Sequence, residues 1–517
     1  MSRNDFRRRQ ARKKIQKFKR LSRHLPTMLA MLVLTALLGG GIFGLYRFVR
    51  SRKPGPSQTT IAEASSQEAA PGKTDASGSP SSGSPDSQEP LDEIDRLISQ
   101  ADFIAAGYDY DRAAEVLTSS GQDTADPRIA EAMSRYEAEK AALVPADVKN
   151  VPHVFFHSLI MDTAKAFDGD SDAGGYNSVM TTRDEFMKIL EEMHKRGYVL
   201  VRLHDIAGET TDESGNPVFS WNTIMLPEGK KPFVMSQDDV CYYPYMDGDG
   251  FASRLVIGED GKPTCEMKME DGSVSTGSYD LIPLLEDFIQ EHPDFSYKGA
   301  RAIIALTGYE GIFGYRTSSA YADSPTYEAD RQQAAAIAQN LKDNGWELAS
   351  HSWGHLQLGL AANPQEGFAI SDQRFTTDTD KWEAEVESLI GPTDILLYPY
   401  GNDVADWHPY SADNPRFSYL FSKGFRYFCN VDASKTSWMQ KGNDHLRMAR
   451  INLDGYRIYE DMIQADPAKK KLSEFFDAEA VFDPSRPTPV TWDYQKSQDE
   501  AMAAQESPEA AAPSDAS

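Results

Sequence analysis

The chain has 517 residues, a formal net charge of −26 and 40% hydrophobic residues, enough apolar material for a large core; at ~100–200 residues per domain there is room for two or three units. Met1 to Lys53 hold 15 Lys and Arg against one acid, Asp5, so the remainder carries −26 − 14 = −40. A body that acidic argues against nucleic acid, anionic lipid or any polyanion as its partner.

In chain order, residues 1–24 form a basic tail. The run Leu25 to Tyr46 is 22 residues long and uncharged, and about 20 apolar residues cross a bilayer as a helix. Eleven basic residues precede it and four follow closely. The positive-inside bias therefore predicts a single-pass membrane protein, its amino terminus cytoplasmic and its body outside the cell. The competing reading is a cleaved signal peptide. The run is long for one, and no small-x-small cleavage site follows it cleanly. Residues 47–90 are rich in Ser, Pro, Gly and Ala and read as a disordered linker. Residues 495–517, Ala, Ser and Glu without periodicity, read as a disordered tail.

Residues 91–145 have a helical pattern. Ile94, Leu97, Ile98 and Ala101 share one face. Gly107 breaks the first helix, Ala113, Val116 and Leu117 mark a second, and Asp126-Pro127 opens a third. The run resembles one and a half tetratricopeptide units. Since an array needs about three repeats to be stable, a helical spacer packed on the next domain is expected.

From residue 150 to about 480, short apolar strands alternate with amphipathic helices. VPHVFFHSL, YVLVRL, FVMSQ, RAIIALT, WELASH, DILLYP and FRYFCNV read as strands, with RMARINL later. Thr182–Arg196 and segments near 279–291, 327–344 and 379–390 read as helices. Buried strands separated by helices predict parallel pairing, an α/β fold, and six to eight of them suit a barrel. The turn signals GEDGK and MEDGS predict an inserted β-hairpin of about three strands within 241–277, placed over the carboxyl end of FVMSQ. Cys241, Cys265 and Cys429 match no zinc or redox spacing. A Cys241–Cys265 bridge is open.

Barrel chemistry gathers at the carboxyl ends of the strands. FVMSQ runs into Asp238-Asp239, WELAS into His351-Ser-Trp-Gly-His355, and ILLY into Pro399-Tyr400-Gly401. Two imidazoles four residues apart can face one cation, and a carboxylate from another strand completes three ligands with an open position for water. The adjacent carboxylate diverges from its neighbour and is placed to take a proton from water.

The segments SQDDV, SHSWGH and YPYG, in that order, resemble the first three motifs of the polysaccharide deacetylases of carbohydrate esterase family 4, the NodB homology domain. The resemblance covers about residues 150 to 460. It implies a distorted (β/α)7 barrel that removes N-acetyl groups from amino-sugar polymers with a divalent metal, zinc first. By position, Asp238 would be the general base, Asp239, His351 and His355 the metal ligands, and the Tyr400 N–H an oxyanion donor. The chain departs from the family in places. Gln237 and Val240 stand where Phe and Gly are usual, and Leu397 where an Arg pairs with the catalytic Asp. Arg450 is the candidate to replace that charge. Asp403, Asp406 and Trp407 echo another family element but lie too soon after Pro-Tyr-Gly, and are read as coincidence.

The family's late Leu-x-His is missing, since the segment here reads Ile451-Asn452-Leu453-Asp454. His157, at the carboxyl end of the first strand, is the candidate general acid, ahead of His445 and His408. His153, His194, His204 and His292 receive no role. Trp353, Tyr400, Tyr315 and Pro399 are candidates for the substrate wall. The expected function is metal-dependent deacetylation of an N-acetylated polysaccharide at a bacterial cell surface. The alternatives are a non-catalytic carbohydrate-binding or scaffold protein on the same fold, and a 2-His-1-carboxylate iron oxygenase.

Overall fold

The computed structural model describes residues 92–361, 367–406 and 408–492, all in one compact unit that begins at Leu91. The expected tail, anchor and linker, the segment from 495 onward, and Trp407 lie outside the described residues. No helix among the described residues is long and apolar enough to cross a membrane.

Seven parallel strands close into a barrel: β1 His153–Phe156, β2 Lys231–Gln237, β3 Ile303–Leu306, β4 Glu347–Ser350, β5 Ile395–Leu397, β6 Tyr427–Val431 and β7 Leu446–Asn452. Each pairs with the next in chain order, and β7 returns to β1 with Arg450 opposite His153. Successive side chains alternate between the two faces of a strand. Val234, Ile303, Ala305, Ala349, Ile395, Leu397, Cys429 and Met448 belong to one buried cluster, inside the barrel. Their neighbours Phe233, Met235, Ile304, Leu306, Leu348, Leu396 and Phe428 belong to another, under the helices. Small residues such as Ala305 and Ala349 suit the narrow bore of a seven-stranded barrel.

Helices fill the crossovers where the sequence is amphipathic. Before the barrel come α1 Glu93–Ala106, α2 Tyr110–Ser119 and α3 Pro127–Ala141. The Asp92 and Asp126 side chains cap α1 and α3. Ala101, Ala113, Leu117, Ile129 and Tyr136 are buried in the same cluster as Val199, Val201 and Ile206. The Lys298 N–H donates to the Gly107 carbonyl at 2.7 Å, and the Tyr108 hydroxyl to the Asp294 carbonyl at 2.8 Å. Around the barrel run α4 Arg183–Lys195, α5 Leu281–Glu291, α6 Tyr327–Asp343, α7 Asp372–Trp382, α8 Pro415–Ser422 and α9 Gly455–Ile463. A capping box between Thr182 and Glu185 starts α4, whose Phe186 meets Phe156 of β1 edge-on at 5.1 Å.

Two expectations about elements change. YVLVRL supplies a strand only at Tyr198–Leu200, which pairs with Lys231–Phe233 outside the closed ring. The chain then turns at once into the short helix Leu203–Ile206, started by the Asp205 carboxylate accepting from the Arg202 N–H. The insertion forms the expected three antiparallel strands, Arg254–Ile257, Pro263–Lys268 and Val274–Gly277. They do not roof the end of β2. One face, with Leu255, Cys265 and Met267, is buried, and the apolar sides of α5 and α6 share its core. The Asn340 side chain of α6 also donates to the Gly261 carbonyl at 2.8 Å. The three cysteines are buried free thiols.

Candidate metal centre at the carboxyl rim

Strand alternation turns His157, Asp238, His351 and Arg450 onto the inner face at or just beyond the strand ends. Backbone geometry then departs from the ordinary. Asp239, Ser352, His355 and Tyr400 have φ of 58°, 55°, 52° and 58°. Left-handed backbone at residues with a Cβ costs about 1–2 kcal/mol each and tends to gather where a chain must aim side chains. Here two of these residues, Asp239 and His355, are brought together with His351. Gly401 also has positive φ, and a Cβ there would collide with Val431.

One ligand atom each from Asp239, His351 and His355 lies within 4.8 Å of the other two. His355 Nε2 is 3.6 Å from Asp239 Oδ2, and the two imidazole rings are 5.1 Å apart. The His351 Nδ1–H donates to the Leu397 carbonyl at 2.7 Å, which leaves Nε2 as a lone pair facing the carboxylates. Burial brings the His351 pKa down to about 4 despite the nearby Asp238 and Asp239, so the ring is neutral at ordinary pH. A neutral imidazole with its remaining nitrogen oriented, a second imidazole and a carboxylate match the donor set of a divalent-cation site. Burial raises the Asp239 pKa, but His355, His351 and His157 outweigh it and hold the group below the usual carboxylate range.

Asp238 has different partners. Its Oδ1 takes a hydrogen bond from Arg450 Nη1 at 2.6 Å, while Oδ2 lies 3.6 Å from His351 Nε2. Arg450 is fully buried, 4.3 Å above the Phe155 ring, and its Nη1 is also 3.4 Å from Ser236 Oγ. Burial would raise the Asp238 pKa; the guanidinium, with His351 and His157, drives it far below the usual range. His157 is half-buried, its ring 5.8 Å from that of Phe155. Near it stands Asp454, the N-cap of α9, whose pKa burial raises against donors from Asn452 and Arg457 and the charge of His157.

The remaining expected residues divide. Pro399 is buried at the start of the turn, and Tyr400 is 44% exposed with its ring 4.5 Å from that of His355. Trp353 is half-buried, its indole N–H donating to Glu385 at 3.0 Å and its ring under Lys381. Tyr315 does not reach the cluster. It is buried against the inserted sheet, with its hydroxyl on the Leu255 carbonyl at 3.1 Å. His445 precedes β7, at the opposite rim, packed among Tyr410, Phe417 and Phe428, and His408 is exposed on the loop after β5. Asp403 is buried on Arg447 and Tyr410.

The departures from the family pattern have local reasons. Gln237 points outward and donates to buried Asp280 at 2.9 Å, which also accepts from the Tyr242 hydroxyl at 2.7 Å and the Leu159 N–H at 2.9 Å. Val240 is buried with its carbonyl accepting from the Phe313 N–H at 2.9 Å. Supporting residues escape notice in the sequence. The Tyr243 hydroxyl donates to Asp239 Oδ1 at 2.8 Å, and Asp378 of α7 accepts from the Trp353 and Gly354 N–H groups at 2.9 and 2.7 Å. His153 lies inside the barrel with Nε2 3.0 Å from Ser236 Oγ.

No protein-family model matches the chain, and no curated protein does. Among solved structures, the Streptococcus pyogenes deacetylase PplD in complex with acetate is similar at 12% identity, covering 60% of this chain and 94% of that one with a TM-score of 0.31. A superposition that loose adds nothing to the argument from the site's own geometry.

A separate hollow lined by His204, Glu209, Phe219, Asn222, Asp394, Arg426 and Tyr427 opens at the amino ends of β5 and β6. That face of a barrel carries stability rather than chemistry.

Proposed function

We propose that this chain is a divalent-metal hydrolase that removes N-acetyl groups from an amino-sugar polysaccharide at a bacterial cell surface, held there by its apolar amino-terminal segment. One observation supports the reading above the others. Asp239, His351 and His355 converge at the carboxyl rim while the adjacent Asp238 is ion-paired with Arg450. Two neighbouring carboxylates with different partners are suited to different work.

A cation held by Asp239, His351 and His355, zinc first, would supply a Lewis acid for the acetamide carbonyl and make water more acidic. The chain's own residues handle the protons. Arg450 occupies Asp238 Oδ1 and keeps the group ionised, so Oδ2, on the side of His351, takes the proton from the attacking water. His157, at the end of the strand paired with that of Asp238, gives a proton to the departing nitrogen. The turn at Tyr400 brings backbone to the same rim, where an N–H donor would stabilise the oxyanion.

The direct test is acetate release by the full chain from a panel of N-acetylated glycans, with metal stripped by a chelator and then restored. Release that disappears on stripping and returns on restoration is expected. Metal bound stoichiometrically with no acetate from any glycan would sink the proposal.

A further inference from the structure

Phenol rings run outward from Asp239. Tyr243, whose hydroxyl holds Asp239 Oδ1, is buried, and its ring stacks with those of Tyr309 (5.5 Å, 24°) and Tyr245 (5.5 Å, 11°). Tyr245 is 43% exposed. It belongs to the 3₁₀ turn Pro244–Met246, in the stretch between β2 and the inserted sheet. A second exposed ring, Tyr400, stands against His355. Two of the three ligands, Asp239 and His355, are thus each linked to an outward-facing aromatic ring, and the two rings are carried on different loops.

An exposed aromatic ring is ordinarily mobile, and immobilising it costs conformational entropy on binding. Tyr245 has already met that cost through its parallel stack on a buried ring and the proline beside it. It thus presents a preorganised, electron-rich flat face next to a polar centre. The partner such a face suits is a pyranose ring, which offers a face of C–H groups and polar edges. A neutral N-acetylated sugar also carries no charge for the acidic body to repel.

Building on the proposed deacetylation, we infer that Tyr245 is the platform for the sugar ring next to the one being deacetylated. The site then selects an oligomer over a monomer.

The test uses the full chain, metal-loaded, with a β-1,4-linked N-acetylglucosamine tetrasaccharide and an aryl acetate ester. Tyr245→Ala should raise KM for the tetrasaccharide about fivefold, the scale of one aromatic contact. It should leave kcat and the ester's kcat/KM unchanged, and Tyr245→Trp should restore the KM. Equal losses on both substrates, or an unchanged tetrasaccharide KM, would overturn the assignment. If no sugar is turned over, the deacetylase reading has failed, and calorimetric titration of the tetrasaccharide decides the platform alone. Weaker binding to Tyr245→Ala than to wild type supports it; equal binding, or none to either, overturns it.

Discussion

At the scale of single residues, Arg450 and Asp238 depend on each other. Both are buried, and removing one partner of such a pair strands a charge at about 3–5 kcal/mol. Arg450→Met should therefore lower unfolding stability by that order in urea titrations, as well as abolish turnover. Adding Asp238→Asn to it should recover much of the stability and none of the activity; a double variant no more stable than Arg450→Met would contradict the coupling. The neighbouring carboxylates should also fail differently. Asp238→Asn should keep near-stoichiometric metal and lose at least ~100-fold in rate, the usual scale of general acid–base catalysis. Asp239→Asn should lose metal affinity as well, and equal metal loss in both variants would remove the division of roles. For His157 the leaving group is the probe. An aryl acetate departs as a stable phenolate and needs little acid, whereas an amine must leave protonated. His157→Ala should then suffer far more on the acetamido sugar than on the ester, with metal content unchanged. The same selective loss in His445→Ala or His408→Ala would reassign the role.

At the scale of elements, the chain's alternation of buried strands and one-faced helices was readable because each element carries its own period. Ile189, Leu190 and Met193 on α4 needed no knowledge of their partners. Asp238, Asp239, His351 and His355 were likewise visible, since strand ends and local spacing mark them. What was not visible depends on contacts between distant segments. The Arg450 guanidinium meets a residue 212 positions earlier, and only closure of the ring shows that it also reaches the Tyr398 carbonyl at 3.5 Å rather than the surface. Tyr315, expected in the substrate wall, instead places its hydroxyl on a carbonyl of the inserted sheet. Tyr243 and Tyr245 were hidden in the run CYYPYM, where nothing local separates a stacked pair from packing.

One clasp between elements yields a pH prediction. His204, on the short helix Leu203–Ile206, contacts Glu347 at the start of β4 and lies 2.9 Å from Asp394 just before β5. Burial lowers its pKa, but Asp394 and Glu347 together raise it to about 10. A folded value above the unfolded one of about 6.5 means that the clasp's stabilisation is complete below that pH and disappears as pH rises through about 10. The thermal midpoint of the wild type should accordingly fall between pH 7 and pH 10 by more than that of His204→Gln. Parallel declines would show that the clasp contributes nothing.

At the scale of the whole molecule, the uneven charge carries the remaining prediction. Fifteen basic residues flank the apolar run while the rest of the chain holds −40. The proposed anchoring places the body outside the membrane, so protease added to intact cells should digest the protein beyond Lys53. A soluble product beginning near Gly40 would point to cleavage instead of anchoring. The barrel's own wiring has a consequence for how such a protein is made. Because neighbouring strands are also consecutive in sequence, six of the seven can be laid down as the chain emerges, each against the last. The seam is different: β1 and β7 meet only when nearly the whole domain has been synthesised. Arg450 arrives with that last strand. Until then Asp238 stands in a half-built bore without its counterion, and a ribosome-released fragment ending before Leu446 keeps it there. Such a fragment would be an open, charge-frustrated sheet with a free edge, a substrate for quality control rather than a slower enzyme.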